Sequence, residues 1–268
     1  TPMLEQYWSM KNSLPKDTLL LFRLGDFYEM FYDDAVDGAR LLGITLTKRQ
    51  NFPMAGIPYH VIDQYLPKIL ASNRKVAICD QNEPPVAGKL VKRSITRIIT
   101  PGTVMEDAQL DSRSGNYIFA VDIDKSDNLF AAWLEISTGE FYCAQFDTPQ
   151  DFLPVLSAFD AKEILLPEES SKQWADDPSL AVWNNIFRNV IDTKTVTLMH
   201  DFRFEPDWGA QQVREALGVA GLEGFGIERG SRLAGPAGAI VFYVSENLRS
   251  RPGNLRSIHK FSGKKSVL

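Results

Sequence analysis

The segment GDFYEMF, residues 25–31, places an aromatic and an acidic side chain at a spacing that could do chemistry. In an extended chain Phe27 and Glu29 project to one side and Tyr28 to the other, because side chains alternate along a strand. An exposed Phe beside a carboxylate would suit insertion between stacked bases, since apolar wedges unstack and kink duplex DNA. The alternative is that the rings are buried in a core and Glu29 is solvated.

Basic residues elsewhere in the first hundred positions favour the nucleic-acid interpretation. Lys48 and Arg49 end a strand-like run, and residues 84–105 contain four basic residues and no acid: Lys89, Lys92, Arg93 and Arg97. A basic surface grips the phosphate backbone, and a neighbouring aromatic can wedge between base steps. The alternative is an interaction scaffold whose basic residues only form solvated faces.

Three carboxylates further along the chain suggest a different chemistry. Asp122 and Asp124 lie two apart on one predicted strand and share a face, and Glu135 lies on the next strand. Such acids can hold two metal ions for phosphodiester hydrolysis, which makes a metal-dependent nuclease the alternative function. Acids also flank turns, and DIDKSDN has the composition of a turn, so we favour the structural interpretation. The nucleotide-binding patterns GxxxxGK[ST] and GxGxxG are absent.

The elements that must position these residues fall into two groups. In the first, a helix opening at Thr1-Pro2 is followed by a buried strand over 18–24 and a helix that Gly43 ends. Further strands are predicted over 44–49, 75–81 and 94–104, with a turn-rich segment over 53–60 and a helix, restarted at Pro67, after it. Strands alternating with helices predict an α/β domain with a mixed sheet.

The second group begins after a polar, aperiodic stretch. Three strand-like segments, NYIFAVDI, LFAAWLEIS and GEFYCAQF, are joined by short turns and predict an antiparallel meander. A helix near 149–159, a strand over 163–167, a polar stretch, a helix near 208–218 and an apolar helix over 236–250 follow. These elements predict a second α/β domain. The remaining residues have too little apolar content for a core of their own.

Composition agrees with two globular domains. The chain has 268 residues, 44% of them hydrophobic and 24% charged, which excludes wholesale disorder and collagen-like repeats. We predict no membrane span and no secretory signal, and therefore a cytoplasmic protein. The net charge of −5 hides a split: residues 1–102 carry 13 basic and 10 acidic residues, and residues 103–268 carry 16 and 24. This asymmetry indicates modules with different partners.

Five short segments of the sequence, taken in order, resemble motifs of the bacterial DNA mismatch repair family MutS: GDFYEMFYDDA, LTKR, PMAGIPYH, VAICDQ and RIITPGT. LEGFGIE with the apolar helix is similar to that family's connector domain, and NLRSIHKF is similar to the start of its core. The resemblance implies a mismatch-binding domain over 1–104, a linker over 105–115, an RNase H-like connector over 116–250 and the start of a core (lever) domain over 251–268.

The resemblance also implies roles for single residues. Phe27 would be the wedge that stacks on one base of a mispair from the minor groove, and Glu29 would hydrogen-bond that base. A protonated Glu29, donating to a purine nitrogen, would be repelled less by the phosphates. Lys48, Arg49 and Arg97 would contact the DNA backbone. The connector would transmit state changes and meet the matchmaker MutL.

The sequence departs from the family pattern in two ways. The loop between LTKR and PMAGIP is shorter than in many relatives, and no segment matches the family's ATPase, clamp or dimerisation helices. We therefore expect an N-terminal fragment that is not itself an enzyme and holds no cofactor. The full-length protein would bind ATP and Mg²⁺ and form a homodimer.

Overall fold

The chain divides into two compact units. A computed structural model describes residues 2–84, 90–104 and 115–262. One unit comprises the residues up to Pro101 together with Asn247–Arg249, and the other comprises Gly102–Glu246 and the residues from Ser250 onward. The predicted linker over 105–115 lies outside the described residues, except for Gly115.

Unit 1 is built on a six-stranded mixed sheet, which confirms the predicted α/β class. The strand order is β3-β4-β2-β1-β5-β6; β1 and β5 are parallel, and the other neighbours are antiparallel. Its strands are β1 (Thr18–Leu24), β2 (Phe27–Phe31), β3 (Thr47–Arg49), β4 (Phe52–Pro58), β5 (Lys75–Gln81) and β6 (Arg93–Ile99). Its helices are α1 (Pro2–Lys11), α2 (Tyr32–Leu42) and α3 (Leu66–Leu70), with a 3-10 helix over Tyr59–Gln64.

A buried carboxylate fastens the helices of unit 1 to the sheet. Asp34 in α2 accepts hydrogen bonds from the Tyr7 hydroxyl (3.2 Å) and the Leu20 amide (3.0 Å). It also pairs with Lys11 at 2.7 Å. Burial and the Asp34 charge raise the pKa of Tyr7, so its hydroxyl remains a donor. Because an unpaired buried carboxylate is strongly unfavourable, this network fixes α1 and α2 against β1.

The segment over 53–60 differs from its prediction as a turn, because strand β4 occupies most of it. Its Pro and Gly residues favour turns locally. In the fold, however, β4 is hydrogen-bonded to β3 on one side and β2 on the other. Ala55 and Ile57 are buried, so sheet partners and burial outweigh the local preference.

Unit 2 contains a second six-stranded mixed sheet, in the order β11-β10-β7-β8-β9-β12. The predicted antiparallel meander is confirmed, and β10 and β11 add to it in parallel. The strands are β7 (Tyr117–Ile123), β8 (Leu129–Glu135), β9 (Glu140–Phe146), β10 (Ala161–Pro167), β11 (Thr195–Met199) and β12 (His259–Lys260). The helices are α4 (Pro149–Ala158), α5 (Glu168–Asp176), α6 (Ala181–Thr193), α7 (Pro206–Leu217) and α8 (Ala234–Leu248).

Two parts of unit 2 carry more structure than predicted. The polar stretch after β10 contains α5, α6 and β11, and the buried Trp183 and Phe187 mark the inner face of α6 at helical spacing. Leu255 and Ile258 are buried, and β12 pairs with β9. Leu255 and Ile258 are therefore part of the buried interior of unit 2.

Helices α7 and α8 approach each other through glycine. A Cβ atom added at Gly209 would overlap the Ala234 carbonyl, and one at Gly238 would overlap the backbone of Gly209. The two backbones are therefore in direct contact, which a side chain at either position would prevent. Among the residues that the structure describes, no helix is both long enough and apolar enough to cross a membrane.

Candidate nucleic-acid interface

The candidate interface is centred on the tight turn between β1 and β2. Leu24 pairs with Phe27, which leaves Gly25-Asp26 as a two-residue turn. Gly25 has a φ of +56°, a conformation that favours glycine. The Tyr59 amide donates to the Asp26 carbonyl at 3.0 Å, so the turn is also tied to the end of β4.

The predicted alternation along β2 is confirmed. Phe27 is 46% exposed, whereas Tyr28 is buried on the opposite face. The Tyr28 hydroxyl donates to Asp80 at 2.7 Å, and Asp80 also accepts from Thr96 at 2.8 Å. Burial raises the pKa of Tyr28 and keeps this donor protonated. The exposed Phe27 therefore lies on a strand whose other face is fastened to β5 and β6.

Glu29 forms an ion pair with Arg49. The distance from the Arg49 guanidinium to the Glu29 carboxylate is 3.0 Å, and the Glu29 side chain is 15% exposed. Across the sheet Glu29 faces Gly56, where a Cβ atom would lie 3.6 Å from the Glu29 Cγ. Burial raises the pKa of Glu29 and the Arg49 charge opposes that shift.

The other two predicted contact residues lie apart from this pair. Lys48 is exposed and points to the opposite face from Arg49, because neighbouring residues alternate. Arg97 is on β6, three strand positions from β2, a distance of about 14 Å by strand spacing. The structure therefore brings Glu29 and Arg49 together and leaves Lys48 and Arg97 separate.

Not all of the four basic residues over 84–105 form a free positive surface. Lys89 lies outside the described residues. Arg93 donates to the Arg23 carbonyl at 2.8 Å, and its guanidinium lies 5.0 Å from the centre of the Phe22 ring. Burial lowers the pKa of Arg93. This arginine therefore packs against its own unit.

Sequence reasoning missed three residues around Phe27. The Arg23 guanidinium lies 3.4 Å from the centre of the Tyr59 ring, and its Nε donates to the Gly25 carbonyl at 2.5 Å. This cation–π contact and hydrogen bond hold the β1–β2 turn against Tyr59. Gly56 lies opposite Glu29 in the pairing of β2 with β4. The Pro and Gly residues around them suggested only a turn, so no alternating pattern marked Gly56 or Tyr59.

Glu29 should lower the stability of unit 1 at neutral pH. Its pKa in the folded chain is above the ordinary value of 4.5, so the folded chain holds the proton more tightly than the unfolded chain does. The stability gained from this proton is complete below pH 4.5 and is lost as the pH rises through the folded pKa. We expect Glu29→Gln to increase the free energy of unfolding at pH 7 and to leave it unchanged at pH 3. Urea denaturation at both pH values measures this. The control Lys48→Gln should lack this pH dependence, and a loss of stability at pH 7 in Glu29→Gln would contradict the expectation.

The carboxylates of unit 2 do not form the arrangement that the nuclease alternative requires. Glu135 pairs with Tyr117, five residues before Asp122 on β7, which places the two acids about 17 Å apart along the strands. Asp122 forms an ion pair with Arg232 at 2.6 Å, and burial raises its pKa against that charge. No group of three or more metal-binding side chains occurs within the described parts of the chain.

The remaining two acids close turns, as the structural interpretation predicted. Asp124 accepts hydrogen bonds from the amides of Ser126 (2.8 Å) and Asn128 (3.0 Å). Glu135 accepts from the Thr138 amide at 2.7 Å. Each carboxylate is therefore engaged by its own turn.

Known protein families match both units. Residues 1–108 match the family model described as MutS domain I, and residues 116–258 match MutS domain II. The DNA mismatch repair protein MutS of Treponema denticola is 36% identical over 258 residues, covering 92% of this chain and 28% of that protein. The protein of that name from Christiangramia forsetii is 36% identical over 272 aligned residues, covering 100% and 30%. That from Thermosipho melanesiensis is 46% identical over 170 residues, covering 63% and 20%. The chain spans less than a third of the length of these relatives.

Proposed function

Since this chain belongs to the MutS family of DNA mismatch repair proteins, we propose that unit 1 recognises mispaired or unpaired bases in duplex DNA. The observation that carries the proposal is the exposure of Phe27 on a strand held rigidly on its other face. An exposed large aromatic side chain on a fixed support is what insertion into a base stack requires.

In the proposed mechanism the protein distinguishes duplexes by how easily the DNA is kinked, and not by which bases it contains. Phe27 enters the minor groove and stacks on one base of the mispair. A mispaired step unstacks and kinks more easily than a paired one, so a deformation energy of a few kcal/mol separates the two duplexes. Because β2 is fastened to both neighbours, Phe27 keeps its position while the DNA bends.

Glu29 and the basic residues complete the proposed contact. Glu29 hydrogen-bonds the base on which Phe27 stacks. Burial raises its pKa, which lowers the cost of protonation when the complex forms. A protonated Glu29 can donate to a purine nitrogen and is not repelled by phosphates. Lys48, Arg49 and Arg97 bind the phosphate backbone, which positions the protein without specifying the sequence.

Unit 2 has a separate role in this proposal. It is the connector domain, which relays state changes between domains and binds the matchmaker MutL. The proposal places the mismatch-binding domain over 1–104, the connector over 116–250 and the start of the core domain at 251. ATP hydrolysis with Mg²⁺ and homodimer formation belong to parts of the family's proteins outside these two domains, and the protein works in the cytoplasm.

The test compares a G·T duplex with its fully paired twin at one stated salt concentration. We expect the unsubstituted chain to bind the G·T duplex about tenfold more tightly, because one base–aromatic stack contributes about 1–3 kcal/mol. Both affinities should fall with salt at the same slope, since phosphate contacts are common to both duplexes. Equal affinities would overturn the proposal, and affinities that do not depend on salt would favour the scaffold alternative.

A further inference from the structure

We propose that the Glu29–Arg49 ion pair exchanges partners when a mispaired duplex binds. In the free protein the two side chains hold each other. At a mispair, Glu29 turns to the base and Arg49 turns to a phosphate. Arg49 would thereby act on specificity as well as on affinity. This inference rests on the proposed function of unit 1.

The geometry allows both partners to be exchanged. Arg49 is 44% exposed and belongs to β3, a three-residue strand at the edge of the sheet whose residues are all exposed. A guanidinium carries five N–H donors in a planar fork and binds phosphate as readily as carboxylate. The group that holds Glu29 is therefore reachable by DNA.

Within the described parts of the chain, Arg49 is the charged group that acts on Glu29, and it reaches Glu29 from β3 past the intervening β4. From β1 the residue opposite Glu29 is Phe22, and from β4 it is Gly56, neither of which carries a charge. The carboxylate therefore depends on Arg49 for its counter-charge. Burial raises the pKa of Glu29 and Arg49 lowers it, so withdrawal of Arg49 favours uptake of a proton from solvent.

The exchange follows from the groups that each duplex brings within reach of the pair. A bare carboxylate is repelled by phosphates, and the closed pair masks that charge as the protein meets any duplex. A fully paired step keeps its bases stacked, so Phe27 does not enter, Glu29 is not brought to a base edge and the pair stays closed. A mispair opened by Phe27 offers a base edge to Glu29 and, after the kink, a phosphate to Arg49. Only at the mispair do new contacts to a base and a phosphate compensate for the free energy lost when the ion pair opens.

A double-mutant cycle on the G·T duplex tests the exchange. The cycle compares the unsubstituted chain, Glu29→Gln, Arg49→Gln and the double variant. In the unsubstituted chain Arg49 must leave Glu29 before it reaches a phosphate, and in the Glu29→Gln chain it need not. We therefore expect Arg49→Gln to weaken binding about twofold to fivefold less in the unsubstituted background than in the Glu29→Gln background, the range set by exposed ion pairs.

Lys48→Gln is the matched control, because it removes the neighbouring charge from the same strand on the opposite face. Its effect should be equal in both backgrounds. A pair that stays closed in the complex would reverse the sign for Arg49→Gln, because its loss would leave a bare carboxylate against the DNA. A reversed sign, or equal effects in both backgrounds, would overturn the exchange while a preference for G·T still upheld the proposed function. Equal binding of both duplexes by the unsubstituted chain would instead overturn the proposed function.

A measurement without DNA tests separately whether the Glu29–Arg49 ion pair forms in the free protein. NMR titration of the Glu29 carboxyl carbon should give a higher pKa in Arg49→Gln than in the unsubstituted chain, and Lys48→Gln should leave it in place. An unchanged pKa in Arg49→Gln would mean that the pair does not hold in solution, and the exchange would be overturned.

Discussion

Phe27→Ala is expected to remove most of the preference for a G·T duplex over its paired twin. The substitution deletes the stacked ring and nothing that reaches the phosphates, so the loss should be about 1–3 kcal/mol for the mispaired duplex only. Affinity for the paired duplex should change little. Because Phe27 is 46% exposed, its truncation should leave the denaturation midpoint of unit 1 nearly unchanged. Fluorescence anisotropy with both duplexes and urea denaturation measure the two effects.

Phe202→Ala provides the matched control. Phe202 is a phenylalanine of similar exposure, 43%, in unit 2. Its removal should leave the duplex preference intact. A Phe27→Ala chain that kept the preference would exclude Phe27 as the wedge, and equal losses in the two variants would point to a general effect of exposed aromatic groups.

Gly209→Ala is expected to destabilise unit 2 by about 3 kcal/mol, near the upper end for overpacking, because the obstacle is backbone and not a movable side chain. A methyl group at this position overlaps the Ala234 carbonyl and would force α7 and α8 apart. Tryptophan fluorescence during urea denaturation measures the effect, since four of the five tryptophans lie in unit 2: Trp133, Trp174, Trp183 and Trp208.

Gly224→Ala is the comparison for this substitution. Gly224 is also in unit 2, and a Cβ atom there would meet no atom within 4 Å. Its midpoint should stay within a few tenths of a kcal/mol of the unsubstituted chain. Equal midpoints for the two variants would contradict direct backbone contact between α7 and α8.

The central strands were predictable because burial on both faces leaves a signal within one short segment. TLLLFRL became β1 with the predicted bounds, and KVAICDQ became β5. Strand β4 was not predictable, because it is a strand through its pairing with β2 and β3 and not through the preferences of its own residues. Helix α6 was missed although its sequence carries the signal, since Trp183, Ile186, Phe187 and Val190 recur at helical spacing.

The candidate site was also predictable only where a feature depends on adjacent residues. The alternation of Phe27 and Glu29 is a property of adjacent residues, so the sequence reveals it. The partnership of Glu29 with Arg49 joins residues 20 positions apart and depends on the order of the strands and on their register. Neither can be read from spacing, and the count of basic residues could not distinguish Arg93, which packs inward, from Arg49.

The two-residue strand β12 has a consequence for how unit 2 meets other chains. It lies beside β9, which would otherwise be the last strand of the sheet and present a row of unpaired backbone groups. Such a row is a template for pairing with a second molecule. β12 covers part of it and ends the sheet in a strand too short to extend, with the exposed Lys260 as its last residue. The part of β9 at Tyr142 and Cys143 is thereby closed to edge-to-edge pairing.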